Sequence, residues 1–268
     1  MKKFLSMALA LTMMVSLAAC GAKKEEAPAA SAPAESTAKV YAVEAGSAGE
    51  AAALEAGYEI ISVQSQADAL MEVAAGTSDA AIIDSLMAGA MVGEGTSYPD
   101  LKCADEKLTE EFYGVGCRKG SNLAAYINGV FAEAYAAGTM QEIATTYGVQ
   151  EALVEQTCDV IDIPTDGDVA YIVDKGTLIV GIADFAPMDY KDDKGEWIGF
   201  DADMAKLVAE KLGVAVEFIE IDWDNKVFEL DGKAIDVVWN GMTLTDAMLE
   251  AMECSTPYCN NAQVVVTK

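Results

Sequence analysis

"GTLIVGIADFAPMDYKDDKGEWIGFDADMAKLVAEKLGV", residues 176–214, holds a complete supersecondary unit. Thr177 to Ile182 is a short apolar run that reads as a buried strand. An aromatic and proline loop follows at Phe185-Ala186-Pro187, and Lys191-Asp192-Asp193-Lys194-Gly195 reads as a hairpin turn. From Asp201 to Lys211 the spacing of Met204, Leu207, Val208 and Leu212 predicts an amphipathic helix. Ala215 to Ile221 is the next strand. A unit of this kind opens an α/β domain, yet it begins about two-thirds of the way along 268 residues.

The same rhythm occurs upstream. Val40–Glu44, Glu59–Val63 and Ala80–Ile83, ending at Asp84, read as strands. Gly46-Ser47-Ala48-Gly49 opens one helix. Gln66–Ala75 is a second, with Ala67, Leu70, Met71 and Ala74 on its apolar face, and Gly76-Thr77-Ser78 stops it. Tyr113–Arg118 reads as a strand. Leu123, Ile127, Val130 and Phe131 mark a helix, and Gly138-Thr139 separates it from another that reaches Tyr147. Val149–Asp174 looks irregular, with Pro164 and a turn at Asp166-Gly167-Asp168 that lacks the remaining ligands of a calcium loop. Ile235–Trp239 and Ala262–Thr267 are further strands. Alternating strands and helices predict an α/β protein with mainly parallel sheets.

Lys and Arg total 17 against 44 Asp and Glu, a net charge of −27. Such a surface repels nucleic acid and anionic lipid headgroups. There is no histidine, which removes the usual neutral-pH base and the commonest metal ligand, so no cofactor or metal is expected. With no activated nucleophile motif either, enzymatic activity is not expected. At the front, Lys2 and Lys3 precede an apolar run from Phe4 to Ala19, the pattern of a signal peptide over residues 1–19. Leu17-Ala18-Ala19-Cys20-Gly21 looks like a bacterial lipobox, in which acyl chains such as palmitate on Cys20 would become the membrane anchor. Residues 20–38 are rich in Ala, Pro, Ser and Glu and read as a flexible tether. Five further cysteines, Cys103, Cys117, Cys158, Cys254 and Cys259, cannot all pair within one chain. A Cys254–Cys259 loop and buried free thiols are both open, with free thiols favoured.

"VGIADFAPMDY", "GEWIGFDADMAKLVAEKLGV", "DVVWNGMTLT", "STPY" and "AQVVVTK" resemble the first lobe of amino-acid-type extracellular solute-binding proteins of ABC importers. "VYAVEAGSAGEAA", "AAGTSDAAIIDS" and the segment from Tyr113 to Val149 resemble that family's second lobe and terminal helices. The two blocks stand in reversed order, so the resemblance implies a circularly permuted, two-lobed protein of the type II periplasmic-binding-protein class. It assigns 39–116 to the second-lobe equivalent, 117–148 to helices packing on the first lobe, 149–174 to a connector made by the permutation, and 175–268 to the first-lobe equivalent. It also implies one crossover ending free near Lys268 and the other, near Tyr113 to Arg118, remaining covalent.

The resemblance further implies a cleft for an amino acid or related amine. Asp84 maps to the ammonium acceptor, although a strand-end Asp also suits a helix cap. Carboxylate donors are expected at two helix starts, Ser47 and Ala48 at one, and Gly241, Thr243 and Thr245, beside Asn240, at the other. Phe185 and Trp223 map to aromatics that sandwich the ligand side chain. Where the family has arginine in T-x-T-x-x-R, this chain reads Thr243-Leu244-Thr245-Asp246-Ala247-Met248, and Glu44 stands where some relatives are basic. Loss of the arginine fork leaves three readings: a weakly held amino acid, a cationic or carboxylate-free ligand held by Asp84 and Glu44, or a site that no longer binds small molecules. The expected partners are a small solute, an ABC permease and, through the lipid, the outer face of the membrane, with the chain a monomer. A sensory or non-transport lipoprotein of the same fold is the alternative.

Overall fold

The computed structural model describes residues 38–268. The expected signal peptide over residues 1–19, Cys20 and the expected tether before Ala38 lie outside the described residues. In the first half, β1 (Val40–Glu44), α1 (Ala48–Glu55), β2 (Glu59–Val63), α2 (Gln66–Ala75), β3 (Ala80–Asp84), α3 (Ser85–Met91) and β4 (Lys102–Lys107) follow one another. Next come β5 (Glu111–Tyr113), β6 (Gly116–Cys117), α4 (Leu123–Ala137), α5 (Thr139–Tyr147) and α6 (Gly167–Lys175). The second half runs β7 (Thr177–Ile182), β8 (Tyr190–Lys191), β9 (Trp197–Ile198), α7 (Phe200–Leu212), β10 (Ala215–Glu220) and α8 (Lys226–Asp231). It closes with β11 (Val237–Val238), α9 (Asp246–Ala251), β12 (Glu253–Cys254), β13 (Cys259–Asn261) and β14 (Gln263–Thr267).

Two five-stranded sheets result, in the orders β2-β1-β3-β14-β4 and β10-β7-β11-β6-β12. In each, four strands share one direction and one is reversed: β14 in the first sheet, β6 in the second. Each reversed strand arrives from the other lobe. β6 enters the second sheet from the side of β5, and β14 enters the first from β12 by way of β13. The two crossing segments pair with each other, Cys259 opposite Tyr113 and Asn261 opposite Glu111. β3 is buried at all five positions because it lies inside its sheet, as its unbroken apolar run requires.

Several expectations change. Ala262–Thr267 belongs, as β14, to the sheet of residues 39–107, so both crossovers are continuous and neither ends free. Tyr113–Arg118 is not one strand: it breaks at Gly114 so that β5 and β6 serve different sheets, and a Cβ on Gly114 would sit 2.5 Å from Leu244 Cδ2. The buried face of α2 is Gln66, Ala69, Leu70 and Val73, while Met71 is 55% exposed. The helix is rotated by about one residue because polar Gln66 is drawn inward by a hydrogen bond to Asp84. All five cysteines within 38–268 are free thiols, with Cys117 and Cys259 buried.

The connector is ordered. Val154 N donates to Tyr258 O at 2.9 Å, and the chain crosses α4 at Gly129, whose Cβ would lie 3.2 Å from Asp159 O. It ends in α6, which the turn reading of Asp166-Gly167-Asp168 missed: Asp166 is the N-cap and Val169 and Ile172 are buried. Arg118 anchors this helix, with Nε 3.1 Å from Asp168, while its Nη1 donates to Ile235 O at 2.9 Å. Lys175 completes the clamp, 2.6 Å from buried Asp236. α4 and α5 pack on α7, with the second sheet.

Candidate functional site

β1 and β3 are adjacent parallel strands whose carboxyl ends carry Glu44 and Asp84. The crevice outside such strand ends is where α/β sheets hold ligands. A cavity of about 280 Å³ opens there. All eleven residues singled out from the sequence line it: Glu44, Ser47, Ala48 and Asp84 from the first lobe, and Phe185, Trp223, Asn240, Gly241, Thr243, Thr245 and Met248 from the second.

Asp84 is buried and stands at the start of α3, but its side chain makes no cap bond. It instead collects donors from across the crossover. Tyr113 Oη donates to Oδ1 at 2.8 Å, Gln263 Nε2 donates to Oδ1 at 3.0 Å, and Asn261 Nδ2 donates to the same oxygen. Gln66 Nε2 donates to Oδ2, and Asp84 N donates back to Gln66 Oε1 at 2.8 Å. Oδ2 thus has one donor where Oδ1 has three. A carboxylate offers about four lone-pair sites, so Oδ2 retains acceptor capacity. Burial, reinforced by Glu111, pushes the Asp84 carboxyl up to about 7. Burial and the nearby Asp84 charge push Glu44 up to about 8.

Lys226 is the one cation lining the cavity among the described residues. Its Nζ donates to Gly46 O at 2.8 Å and to Trp223 O at 3.0 Å, and lies 4.8 Å from the centre of the Trp223 ring. Burial lowers its pKa, with Glu44 the main opposing influence. The Gly46 contact ties the lobes together. Gly46 has φ +70°, and a Cβ there would lie 2.7 Å from Asp224 Cα, so only glycine allows the approach.

The second wall is held from behind. Asn240 Nδ2 donates to Asp189 Oδ2 at 2.7 Å and to Ala183 O at 2.9 Å. Gly241 N donates to Asp201 Oδ2 at 2.6 Å, and Tyr258 Oη donates to the same oxygen at 2.7 Å. Gly241, expected to offer its N–H to a ligand carboxylate, therefore spends it on Asp201. A Cβ on Gly241 would fall 2.3 Å from Phe185 Cε1, at a φ of +55°. The absent side chain sets where the Phe185 ring can lie, edge-on to Tyr113 at 6.2 Å. Burial raises Asp189 and Asp201, and for Asp189 repulsion from Asp201 adds to it. Asp189 Oδ1 is buried without a partner, and two full negative charges here would be poorly balanced.

Several groups at the helix starts are bonded within the protein. Ser47 Oγ accepts from Glu50 N at 3.1 Å, and Glu50 Oε2 accepts from Gly46 N at 2.8 Å. Thr245 Oγ1 accepts from Met248 N at 3.2 Å, so Met248 sits in the first turn of α9. Thr243 Oγ1 donates to Glu111 Oε2 at 2.9 Å. Sequence reading missed Glu111, Tyr113, Asn261 and Gln263, whose roles depend on the crossover, and also Gln66, Glu50 and Lys226. Glu50 was legible as the fourth residue of the Ser47-x-x-Glu50 capping pattern.

Residues 178–268 match the family model described as bacterial extracellular solute-binding proteins, family 3. A "Probable amino-acid ABC transporter-binding protein" of Haemophilus influenzae is 38% identical over 104 residues, 38% of this chain and 40% of that protein. The "L-cystine-binding protein TcyA" of Bacillus subtilis is 38% identical over 106 residues, 38% of this chain and 39% of that protein. Among solved structures, an "Ancestral Cationic Amino Acid Solute Binding Protein" is 40% identical, covering 30% of this chain and 36% of that one, with a TM-score of 0.30. The chain spans about two-fifths of the length of the curated relatives it matches. The likeness to the family 3 bacterial extracellular solute-binding proteins is carried by residues 178–268.

Proposed function

We propose that this protein captures a small polar solute, an amino acid or related amine, between its two lobes and delivers it to an ABC permease. The observation that carries this reading is the cavity at the ends of β1 and β3, with Asp84 on one wall and Phe185 and Trp223 on the other. Asp84 Oδ2 accepts the ammonium, and the aromatics hold the rest of the solute. Closure is a hinge motion about the paired segments β5 and β13, with the ligand bridging both lobes. The chain binds its solute without turning it over, acts as a monomer, and is held at the outer face of the membrane through lipid on Cys20.

The permuted order belongs to the same proposal. Ala80 lies opposite both Tyr41, near the start of β1, and Thr267, at the end of β14. These chain positions are two strand spacings apart, about 10 Å, close enough for a short loop to join them. Residues 149–174 supply the link that the other order would lack.

Asp84→Asn tests the site. It keeps the shape and removes the charge, and affinity is expected to fall about 10–150-fold, the value of a lost charged hydrogen bond. Unchanged affinity by calorimetry, with the fold intact by circular dichroism, would overturn the assignment.

A further inference from the structure

Resting on the solute-binding reading above, we infer that Lys226 is the residue that selects for a carboxylate on the solute. Met248, at the place of the family's arginine, carries no charge. The cavity holds a cation on another element, at the start of α8.

Lys226 is buried, with 5% of its surface exposed. Two of its three N–H groups donate to carbonyls, Gly46 O at 2.8 Å and Trp223 O at 3.0 Å. Among the described residues no carboxylate stands at ion-pair distance from its Nζ. Glu44, Asp224 and Glu50 act on it from farther away, and Glu44, pushed up to about 8, carries less than a full charge at neutral pH. Lysine is almost never this buried without a partner, because an ammonium taken out of water needs an opposite charge beside it. The protein supplies two carbonyl dipoles and leaves one N–H and most of the charge unanswered. A carboxylate on the solute answers both.

The receptor has a second part. Gly46 O, which holds Nζ, lies two residues before Ala48, the first residue of the eight-residue α1. Ala48 lines the cavity, and its N–H has no partner among the described residues. The Glu50 carboxylate is turned to Gly46 N and Ser62 Oγ, so it does not cover that N–H. On the facing wall Thr243 N is also unbonded, flanked by the bonds from Gly114 N to Met242 O and from Leu244 N to Phe112 O. Helix-start N–H groups favour anions. An ammonium from the second lobe and an open N–H from the first thus come together at one helix start. A carboxylate held there is gripped by both lobes at once and favours the closed form.

The test is calorimetric titration of the purified protein with matched pairs that differ only in the carboxylate: lysine against 1,5-diaminopentane, arginine against 4-aminobutylguanidine, and glutamine against 4-aminobutanamide. In the pairs that bind, the amino acid is expected to bind about tenfold or more tightly than its amine. Lys226→Met, close in size and uncharged, is expected to weaken the amino acid about 10–150-fold, the value of a lost charged hydrogen bond, and to leave the amine unchanged or tighter. Lys226→Arg, which keeps the charge, is expected to keep the preference. Circular dichroism checks the fold of both variants. An amino acid unmoved by Lys226→Met would overturn the inference. Equal weakening of both members of a pair would make Lys226 a tie between the lobes and overturn it as well. If the amine binds as tightly as its amino acid in the wild-type protein and Asp84→Asn abolishes both, the inference fails while the solute-binding site stands. If no member of any pair binds, both fail.

Discussion

The molecule holds two clusters of buried acids, one on each side of the cleft, and they do opposite things. Asp189 and Asp201 lie fully inside the second lobe and accept from protein groups, Asn240 Nδ2 for Asp189, Gly241 N and Tyr258 Oη for Asp201. Glu44 and Asp84 are nearly as buried, but they line the cavity, and Asp84 Oδ2 keeps room for one more donor. Both clusters are pushed toward the protonated form by burial. The first fixes the shape of a wall. The second supplies a wall's chemistry. Equal burial therefore does not mean equal function: what separates them is whether the remaining lone pairs face protein or space.

The comparison is broken most forcefully at Asp201. Asp201→Ala removes the acceptor of two buried donors, the Gly241 N–H and the Tyr258 hydroxyl, and is expected to cost about 2–5 kcal/mol of stability. Asp84→Asn is expected to leave stability nearly unchanged while binding collapses. Chemical denaturation of both variants checks the contrast, and a reversed ranking would merge the two clusters into one structural class.

A smaller effect separates them by pH. Glu44, at about 8, faces Asp84, Asp68, Gln66 and Lys226; Asp84, at about 7, faces Glu111, Tyr113, Gln66 and Asn261. Their folded values lie above the unfolded ones, so the empty protein binds the extra protons and loses stability as pH rises through about 7–8. Asp189 and Asp201 contribute with the same sign. Cation binding needs the ionised forms of Glu44 and Asp84, so affinity for an amine should rise over the same window, by at most about tenfold per group per pH unit. Asp84→Asn should make the affinity profile shallower, leaving the Glu44 component, and leave the part of the stability trend due to Glu44, Asp189 and Asp201. Calorimetry and thermal melts from pH 5.5 to 8.5, on the order of the full titration range, check both.

The smallest expected change is Met248→Arg. A guanidinium in the first turn of α9 restores a fork for a carboxylate, so amino-acid affinity should improve about tenfold relative to the matched amine. An unmoved ratio in the paired titrations would mean that the second wall cannot orient a carboxylate even when given the charge.

How much of this was legible depends on the range of the interaction. The strand ends at Glu44 and Asp84, and the loop after Trp239, could be read because each follows from a local pattern of apolar run, then polar end, then helix start. The eleven residues that the family resemblance singled out line one cavity. What holds Asp84 could not be read. Asn261 and Gln263 are distant in sequence and look like any polar residues until β14 is seen to lie beside β3. The register of α2 was misjudged because an inward Gln66 breaks the apolar rule for a polar reason. α6 was missed because an Asp-Gly-Asp start reads equally well as a turn.

The central claim is that a cation sits at Asp84 between Phe185 and Trp223. A crystal structure with the tightest-binding amine from the paired titrations measures this directly. The account predicts the amine nitrogen about 3 Å from Asp84 Oδ2, with Phe185 and Trp223 against its carbon chain. An amine bound elsewhere, or one whose nitrogen points away from Asp84, would contradict it.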